Sequence, residues 1–349
     1  MSETGLEPHV SIVIINFNGT ENLKKAVNSI LESNYRNYEI IIVDCLTKNI
    51  EEEIRKHFPN NGKIRIVHFS KDIGAAASHN VGAIISNPKS KYLVFMDDDI
   101  IVTKDWLKNL VNTIEKSDKI GVVQAKLLSM RDPSKMDHLG LALDMLGTWF
   151  TAYGQNADKF NKPLEIFAAS SATMITRRNV YFEVGGFDNT YFIYDDDTDY
   201  SWRVRLRGYK ILFNPDAVVY HKGGLVGGLK PERLFYGYKN RLTNLIKNLE
   251  TPNMVLHLLA TLGFGFLNIL FLAIFGKYRE MSSYVFASFY VLRNLPKLMR
   301  KRQKIQLTRK VDDQYFFQKG LIRRNITATV LMFRMLLIEY YKYVLKKAR

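Results

Sequence analysis

Two clusters of carboxylates and one histidine have the types and spacing to do chemistry. Asp97-Asp98-Asp99 directly follows the apolar stretch Leu93–Met96. On an extended backbone alternate residues share a side, so Asp97 and Asp99 would offer two hard oxygen ligands. Such a pair suits Mg²⁺ or Mn²⁺ shared with a diphosphate. The plainer reading is a solvated acidic turn with a helix cap at Thr103, but three aspartates at a buried strand end cost repulsion that a cation would relieve. The second cluster is Asp195-Asp196-Asp197-Thr198-Asp199, preceded by Gly185-Gly186-Phe187-Asp188 and followed by Tyr200-Ser201-Trp202-Arg203. A lone aspartate titrates near 3.9 and is a poor base, whereas crowded carboxylates raise one another toward a useful range. Deprotonating a hydroxyl as it attacks needs such a group; an acidic helix N-terminus would use the same residues. His221 follows Ala217–Tyr220 and precedes Lys222-Gly223-Gly224. A single histidine is usually structural, but glycines beside it suggest a loop near a ligand, where a neutral imidazole could complete a metal shell.

These groups need elements to hold them. Val10–Ile15 is a continuous β-branched run, the pattern of a strand buried on both faces. Asn18 with Glu21 resembles a helix-capping pair, and Leu23, Val27, Ile30 and Leu31 keep helical spacing. Glu39–Asp44, Ile64–Phe69 and Tyr92–Asp97 read as further strands, with the alanine-rich Gly74–Ile85 as a helix. Strand alternating with helix predicts a mostly parallel α/β sheet with right-handed crossovers. Ligands of such sheets bind beyond the carboxyl ends of the strands, where Asn16-Phe17-Asn18, Asp44 and Asp97–Asp99 all fall. Polar groups gathered there outline a nucleotide site.

The formal charge of +16 over 349 residues is unevenly placed. From Lys277 to Arg349 there are eighteen Lys and Arg against four Asp and Glu, so the tail carries nearly all of the imbalance. Phosphates of nucleic acid would answer such a charge, as would anionic lipid headgroups. The preceding segment favours lipid: Thr251–Gly276 holds no charged residue, and Met254–Phe275 is long enough to cross a bilayer. A second apolar run covers 281–298, and 326–341, interrupted by Arg334, suits an interfacial amphipathic helix. With the basic tail on the cytosolic side, 254–275 and 281–298 would form a hairpin or lie in the interface. Met1–Pro8 is polar and acidic, so no secretory leader is expected, and Cys45, the single cysteine, fits a reducing location. The stretch Gly223–Lys230 is flexible enough to act as a lid.

The ordered motifs resemble glycosyltransferase family 2, the inverting GT-A enzymes, over about 9–250. The resemblance rests on VSIVIINFNG at the start, IIIVD at 40–44 and Asp72, Gly74 and Asn80 in a D-x-G-x(5)-N pattern. It continues through FMDDDI at 95–100, GGFD at 185–188, YFIYDDDTDYSWRVRLRGYKI at 191–211, His221 and Tyr238–Arg241. It implies a Rossmann-like nucleotide-diphospho-sugar transferase domain followed, over 251–349, by a basic, membrane-associated helical region. Asn16 and Asp44 would contact the nucleoside with Asp72 nearby. Asp97 would face the ribose or diphosphate and join Asp99 and His221 about the metal. Asp197 would be the general base with Asp196 as the first acid of the pair, and Trp202 and Arg203 would line the acceptor side. Partners would be a nucleotide diphosphate sugar, a glycan or lipid-linked acceptor and membrane lipids, with the catalytic domain facing the cytoplasm and no nucleic acid. The branch nearest in pattern is rhamnosyltransferase-like. Asp44-Cys45-Leu46-Thr47 departs from the family's frequent Asp-Asn-x-Ser, Asp72 stands where Asn is frequent, and Asp196 where Glu is.

Three other readings compete. A polyprenyl-phosphate sugar synthase would share the donor site, yet its anionic acceptor needs no general base. A sugar nucleotidylyltransferase also joins an α/β fold to aspartate-bound metal, but Asn16–Gly19 lacks its glycine-rich, basic phosphate loop. A non-enzymatic membrane or nucleic-acid adaptor explains the tail and leaves both acidic clusters without a purpose.

Overall fold

The computed structural model describes residues 7–59, 61–223, 230–331 and 333–334. The chain divides into two compact units, one formed by the residues up to Leu139 with Ala152–Gly224, the other by Gly140–Thr151 with the residues from Leu225 on. The first unit begins β1 (Val10–Phe17), α1 (Glu21–Leu31), β2 (Tyr38–Cys45), α2 (Ile50–His57), β3 (Ile64–Phe69), α3 (Ala75–Ile85) and β4 (Tyr92–Asp97). It continues with β5 (Ile100–Val102), α4 (Trp106–Ile114), β6 (Ile120–Ser129) and β7 (Met136–His138). The strands β8 (Gly140–Leu143) and β9 (Trp149–Thr151) belong to the other unit. The chain then returns as β10 (Leu164–Glu165), β11 (Thr173–Arg177), α5 (Arg178–Glu183), α6 (Asp196–Leu206) and β12 (Lys210–His221).

One ten-stranded sheet carries the first unit, in the order β10-β12-β6-β11-β4-β1-β2-β3, with β5 against β12 and β7 against β6. The β3-β2-β1-β4 part is parallel, and β11 enters antiparallel between β4 and β6. Ile12 and Ile14 of β1 and Ile40 and Ile42 of β2 are sealed in one cluster with Leu23, Val27 and Ile30 of α1 and Ile50 and Ile54 of α2. These branched side chains fit a pleated, doubly covered surface, and their burial drives the strands together.

The second unit comprises the β8–β9 hairpin and the helices α7 (Pro231–Asn248), α8 (Thr251–Ile274), α9 (Tyr278–Arg293), α10 (Leu295–Leu307) and α11 (Asp313–Gln318). The hairpin is bound there by distant chain: Leu143 N donates to the Leu321 carbonyl at 2.9 Å, Arg323 N to the Leu143 carbonyl at 2.8 Å and Thr329 N to Asp144 Oδ2 at 2.7 Å. Tyr238, Leu242 and Ile246 of α7 pack on Ala287 and Val291 of α9 and Leu298 of α10. A division at residue 250 therefore differs from the packing, which groups 140–151 and α7 with the C-terminal helices.

Other local expectations change as well. Asn18 does not cap α1: it sits in the left-handed region with φ 50°, and Thr20 precedes the helix. The Thr20 hydroxyl donates to Glu53 Oε2 at 2.7 Å, so the cap is spent on a neighbouring element. The apolar run 281–298 is two helices, because Pro296 cannot donate to the turn that would join them and α10 starts afresh at Leu295. Residues 326–331 and 333–334 begin the expected amphipathic segment, whose remainder lies outside the described residues, as does most of Gly223–Lys230.

Candidate active site

The aspartate triplet ends β4, and the next strand explains why a histidine meets it. The short β5 pairs antiparallel with β12 in the register His221↔Ile100, which sets His221 beside the residue preceding Ile100. His221 Nε2 lies 3.1 Å from Asp99 Oδ1 and 3.9 Å from Asp97 Oδ2. One ligand atom from each of Asp97, Asp99 and His221 falls within 4.8 Å of the others, a set of two carboxylate oxygens and one imidazole nitrogen. That donor set and spacing fit a divalent cation such as Mn²⁺.

Asp137, on β7, was not anticipated. Its Oδ2 lies 2.6 Å from His221 Nδ1, and the carboxyl is buried. Holding Nδ1 as the protonated nitrogen leaves Nε2 turned to Asp97 and Asp99, the orientation a metal-binding imidazole needs. Asp137 falls in a short strand after Pro133 without periodic pattern, so nothing in its neighbourhood sets it apart in the sequence.

The electrostatics agree. Removal from water pushes Asp97 up to about 6, against the pull of His221, with Asp99 and Asp137 adding to the rise. Asp98 is pushed up to about 7 by burial and by Asp99 and Asp97. Burial opposes the imidazolium of His221, yet hydrogen bonds to Asp137 and Asp99 and the surrounding carboxylates carry it up to about 10. The acids thus favour positive charge between them; a proton on Nε2 supplies it, and a divalent cation at that nitrogen would displace the proton.

The second cluster starts α6 after a stretch of unusual backbone: Phe192, Tyr194 and Asp195 have φ of 66°, 65° and 56°. Such residues cost of order 1–3 kcal/mol each and persist only where surroundings enforce them. The enforcement comes from α3. Asn80 Nδ2 donates to the Phe187 carbonyl at 2.8 Å and its Oδ1 accepts from Phe187 N at 2.9 Å. Gly74, with φ 82°, lies so close that a Cβ would meet the Phe192 carbonyl oxygen at 2.6 Å. From α6, Arg203 Nε donates to Asp199 Oδ2 at 2.8 Å, while its terminal nitrogens reach the carbonyls of Val184 at 2.6 Å and Gly186 at 2.7 Å.

Asp197 is thereby held against the start of β11. Ser171 N donates to Asp197 Oδ2 at 3.4 Å, and Asp97 N donates to the carbonyl of the next residue, Ala172, at 3.2 Å, so both acidic clusters flank one two-residue segment. Burial, then Asp195, pushes Asp197 up to about 7, with Asp97 adding to the rise. Asp196 is buried with one carboxyl oxygen lacking a partner, and burial next to Asp197 holds it well above the usual carboxylate range. Near neutral pH, Asp197 is poised to take a proton, and the charged form of Asp196 beside it is disfavoured by burial.

Other expected residues sit differently. Trp202 is 1% exposed with its ring edge-on to Phe167, and Arg203 is buried in the braces described above. Neither can line an acceptor surface; α6 turns both inward, where they fix loops. Asn16 and Asp44 are buried together, and the Asp44 carboxylate accepts from Asn16 Nδ2, Thr47 N at 3.2 Å and Thr47 Oγ1 at 2.6 Å, and contacts His68 Nδ1 at 2.6 Å. It shapes the loop after β2, and the exposed large apolar side chains at this end are Phe17 and Leu46. Asp72 is exposed and its Oδ1 accepts from Gly74 N at 2.8 Å, shaping the entry to α3.

The sequence profile described as Glycosyl transferase family 2 matches residues 11–185, half of the chain. An uncharacterized glycosyltransferase of Haemophilus influenzae is 27% identical over 198 residues, 54% of this chain and 58% of that protein. An uncharacterized protein (y4gI) of Sinorhizobium fredii is 24% identical over 228 residues, 61% of this chain but 24% of its own length. The chain thus spans between a quarter and little more than half of these relatives. Among solved structures, the mannosyltransferase PcManGT from Pyrobaculum calidifontis, in complex with GDP-Man and Mn²⁺, superposes with TM-score 0.53 at 14% identity, covering 83% of this chain and 76% of that one. GalNAc-T7 with UDP, GalNAc and Mn²⁺ gives TM-score 0.53 at 22% identity, over 62% and 44% of the two chains. Likeness at such identity speaks for the fold, which is GT-A, and the profile match speaks for descent: the chain belongs to glycosyltransferase family 2.

Proposed function

We propose that this glycosyltransferase moves a sugar, with inversion, from a nucleotide diphosphate sugar to an acceptor hydroxyl. The observation that carries the reading is the pair of acidic clusters on either side of Ser171–Ala172, one with metal-ligand geometry and one with a carboxyl pushed up to about 7. Asp97, Asp99 and His221 would hold a divalent cation, Mn²⁺ or Mg²⁺, that neutralises charge growing on the departing diphosphate. Asp137 keeps His221 in the tautomer that points Nε2 at the carboxylates. Asp197 accepts the proton of the acceptor hydroxyl while its oxygen bonds to the anomeric carbon, and the electron pair of the breaking C–O bond leaves on the nucleotide diphosphate. Asp196, whose charged form is disfavoured by burial, stands beside Asp197 as the first acid of the pair. Phe17 and the loops after β1 and β2 would receive the nucleoside, with Asn16, Asp44 and Asp72 shaping them.

The apolar α8 and the basic tail support a membrane-associated enzyme facing the cytoplasm, where nucleotide sugars are made, acting on a lipid-linked or cell-surface glycan. A phosphate acceptor, as in a polyprenyl-phosphate sugar synthase, would leave Asp197 without a proton to take. Calorimetric titration of detergent-solubilised protein with a nucleotide-sugar panel, with and without Mn²⁺, tests the donor site. Metal-dependent binding of one donor, lost in Asp99→Ala, is expected; binding of none, with or without metal, would overturn the reading.

A further inference from the structure

The helix α8 is built inside out. Its buried face carries His257, Thr261, Gly265 and Asn268 with Leu272, while Leu259, Phe266, Leu267 and Ile274 are each more than half exposed. A surface helix of a water-surrounded protein shows the opposite arrangement. The exposed apolar side chains continue on α9, where Phe286 and Phe289 are more than half exposed and Ala287 and Val291 are buried. Contiguous apolar surface of this kind is an interaction face.

The occupant can be argued from charge and from what packs behind the face. Lys297, Arg300 and Lys304 are exposed at spacings of three and four, which gathers them on one side of α10, and α10 contains no acidic residue. Such a cationic stripe complements an anionic bilayer surface.

Packing also decides how the helices meet that bilayer. At about 1.5 Å per residue the 24 residues of α8 reach ~36 Å, but the 16 of α9 reach only ~24 Å, short of a ~30 Å hydrocarbon core. The buried side of α8 is occupied by α7: Tyr238 sits in the notch at Gly265, where a Cβ would meet its hydroxyl at 2.0 Å, and donates to the Thr261 carbonyl at 3.3 Å. The same Tyr238, with Leu242 and Ile246, covers α9. Since α7 bears Lys239, Asn240, Asn244 and Lys247, carrying α8 and α9 through the bilayer would drag these groups into hydrocarbon, a costly placement.

Resting on the membrane association set out above, we infer that α8 and α9 lie in the plane of one anionic leaflet as a monotopic anchor, apolar face down, with the α10 cations on the headgroups. The full chain carrying a single nitroxide label at Leu259→Cys, Phe266→Cys or Ile274→Cys (native Cys45 is buried) is bound to vesicles of phosphatidylcholine with phosphatidylglycerol. Depth is then measured by power-saturation spin resonance. The expected result is a similar shallow depth, about 5–10 Å below the phosphates, at all three sites. A depth that rises to the bilayer centre at Phe266 and falls again would overturn the in-plane anchor while keeping membrane association. Phe266→Asp with Leu267→Asp should abolish vesicle flotation while leaving Mn²⁺ binding intact, and Lys297→Gln with Arg300→Gln should weaken binding to anionic vesicles roughly 25-fold, about fivefold per cation. Undiminished flotation of the aspartate variant would overturn the face assignment. Wild-type protein that ignores vesicles but forms oligomers dispersed by the same aspartates would make the occupant a second copy, and would remove the membrane reading altogether.

Discussion

At the scale of single residues, Asp197 and Asp137 carry the sharpest expectations. Asp197→Asn should lower kcat by about 10²–10⁴ with little change in donor affinity, since a general base acts only as the acceptor proton leaves. Because burial and Asp195 push Asp197 up to about 7, its base form is lost as pH falls through that value. The wild-type rate should therefore decline below about pH 7 and level off above it, in steady-state profiles at saturating Mn²⁺. Asp137→Asn keeps the shape behind His221 but removes the charge that orders its ring. Mn²⁺ affinity should drop about 10–100-fold by calorimetry, with the fold's melting temperature nearly unchanged. The two acidic clusters and His221 stand out in the sequence because carboxylates are rarely crowded without cause. Asp137 does not, because only the β6–β7 and β12 pairings bring it near His221. Trp202 and Arg203 were misread for a related reason: which way a helix turns its residues depends on what packs around it, and α6 is buried along nearly its whole length.

At the scale of elements, the β1–β4 frame followed from hydrophobic pattern almost residue for residue, since β-branched runs bounded by turns have few other solutions. The antiparallel β11 and the late return of β12 beside β6 rest on pairings between distant segments that no local pattern records. The second acidic cluster is held by Asn80 of α3 and by Gly74, which precedes that helix. Gly74→Ala places a Cβ against the Phe192 backbone in a left-handed conformation, so it should lower both the melting temperature and kcat, by scanning calorimetry and turnover. Arg203→Met would leave Asp199 buried without its cation and the Val184 and Gly186 carbonyls without their donor. Breaking such a buried pair should cost about 3–5 kcal/mol in denaturant titrations. Of the C-terminal helices, composition located α8 closely, whereas the break at Asn294 turned on one proline inside an otherwise apolar run.

At the scale of the whole molecule, the two units are interleaved along the chain, with Gly140–Thr151 belonging to the helical unit although flanked by sheet-forming segments. A protein ended at residue 250, where the composition shifts, would therefore keep a hairpin stripped of its partners. It should be cleaved within 140–151 by limited proteolysis that spares the full chain, and digestion followed by mass spectrometry checks this. The same interleaving sets a timetable for biosynthesis. The hydroxyls of Thr148 and Thr329 meet at 2.6 Å although 181 residues separate them. At about 5–20 residues per second a ribosome needs roughly 10–40 s to cover that interval. Throughout it the hairpin waits without the 321–329 segment that binds it while α8, already apolar on its outer face, leaves the exit tunnel. Synthesis close to a membrane would shorten the exposure of that face, so ribosomes translating this message are expected to gather at the bilayer before the chain is complete.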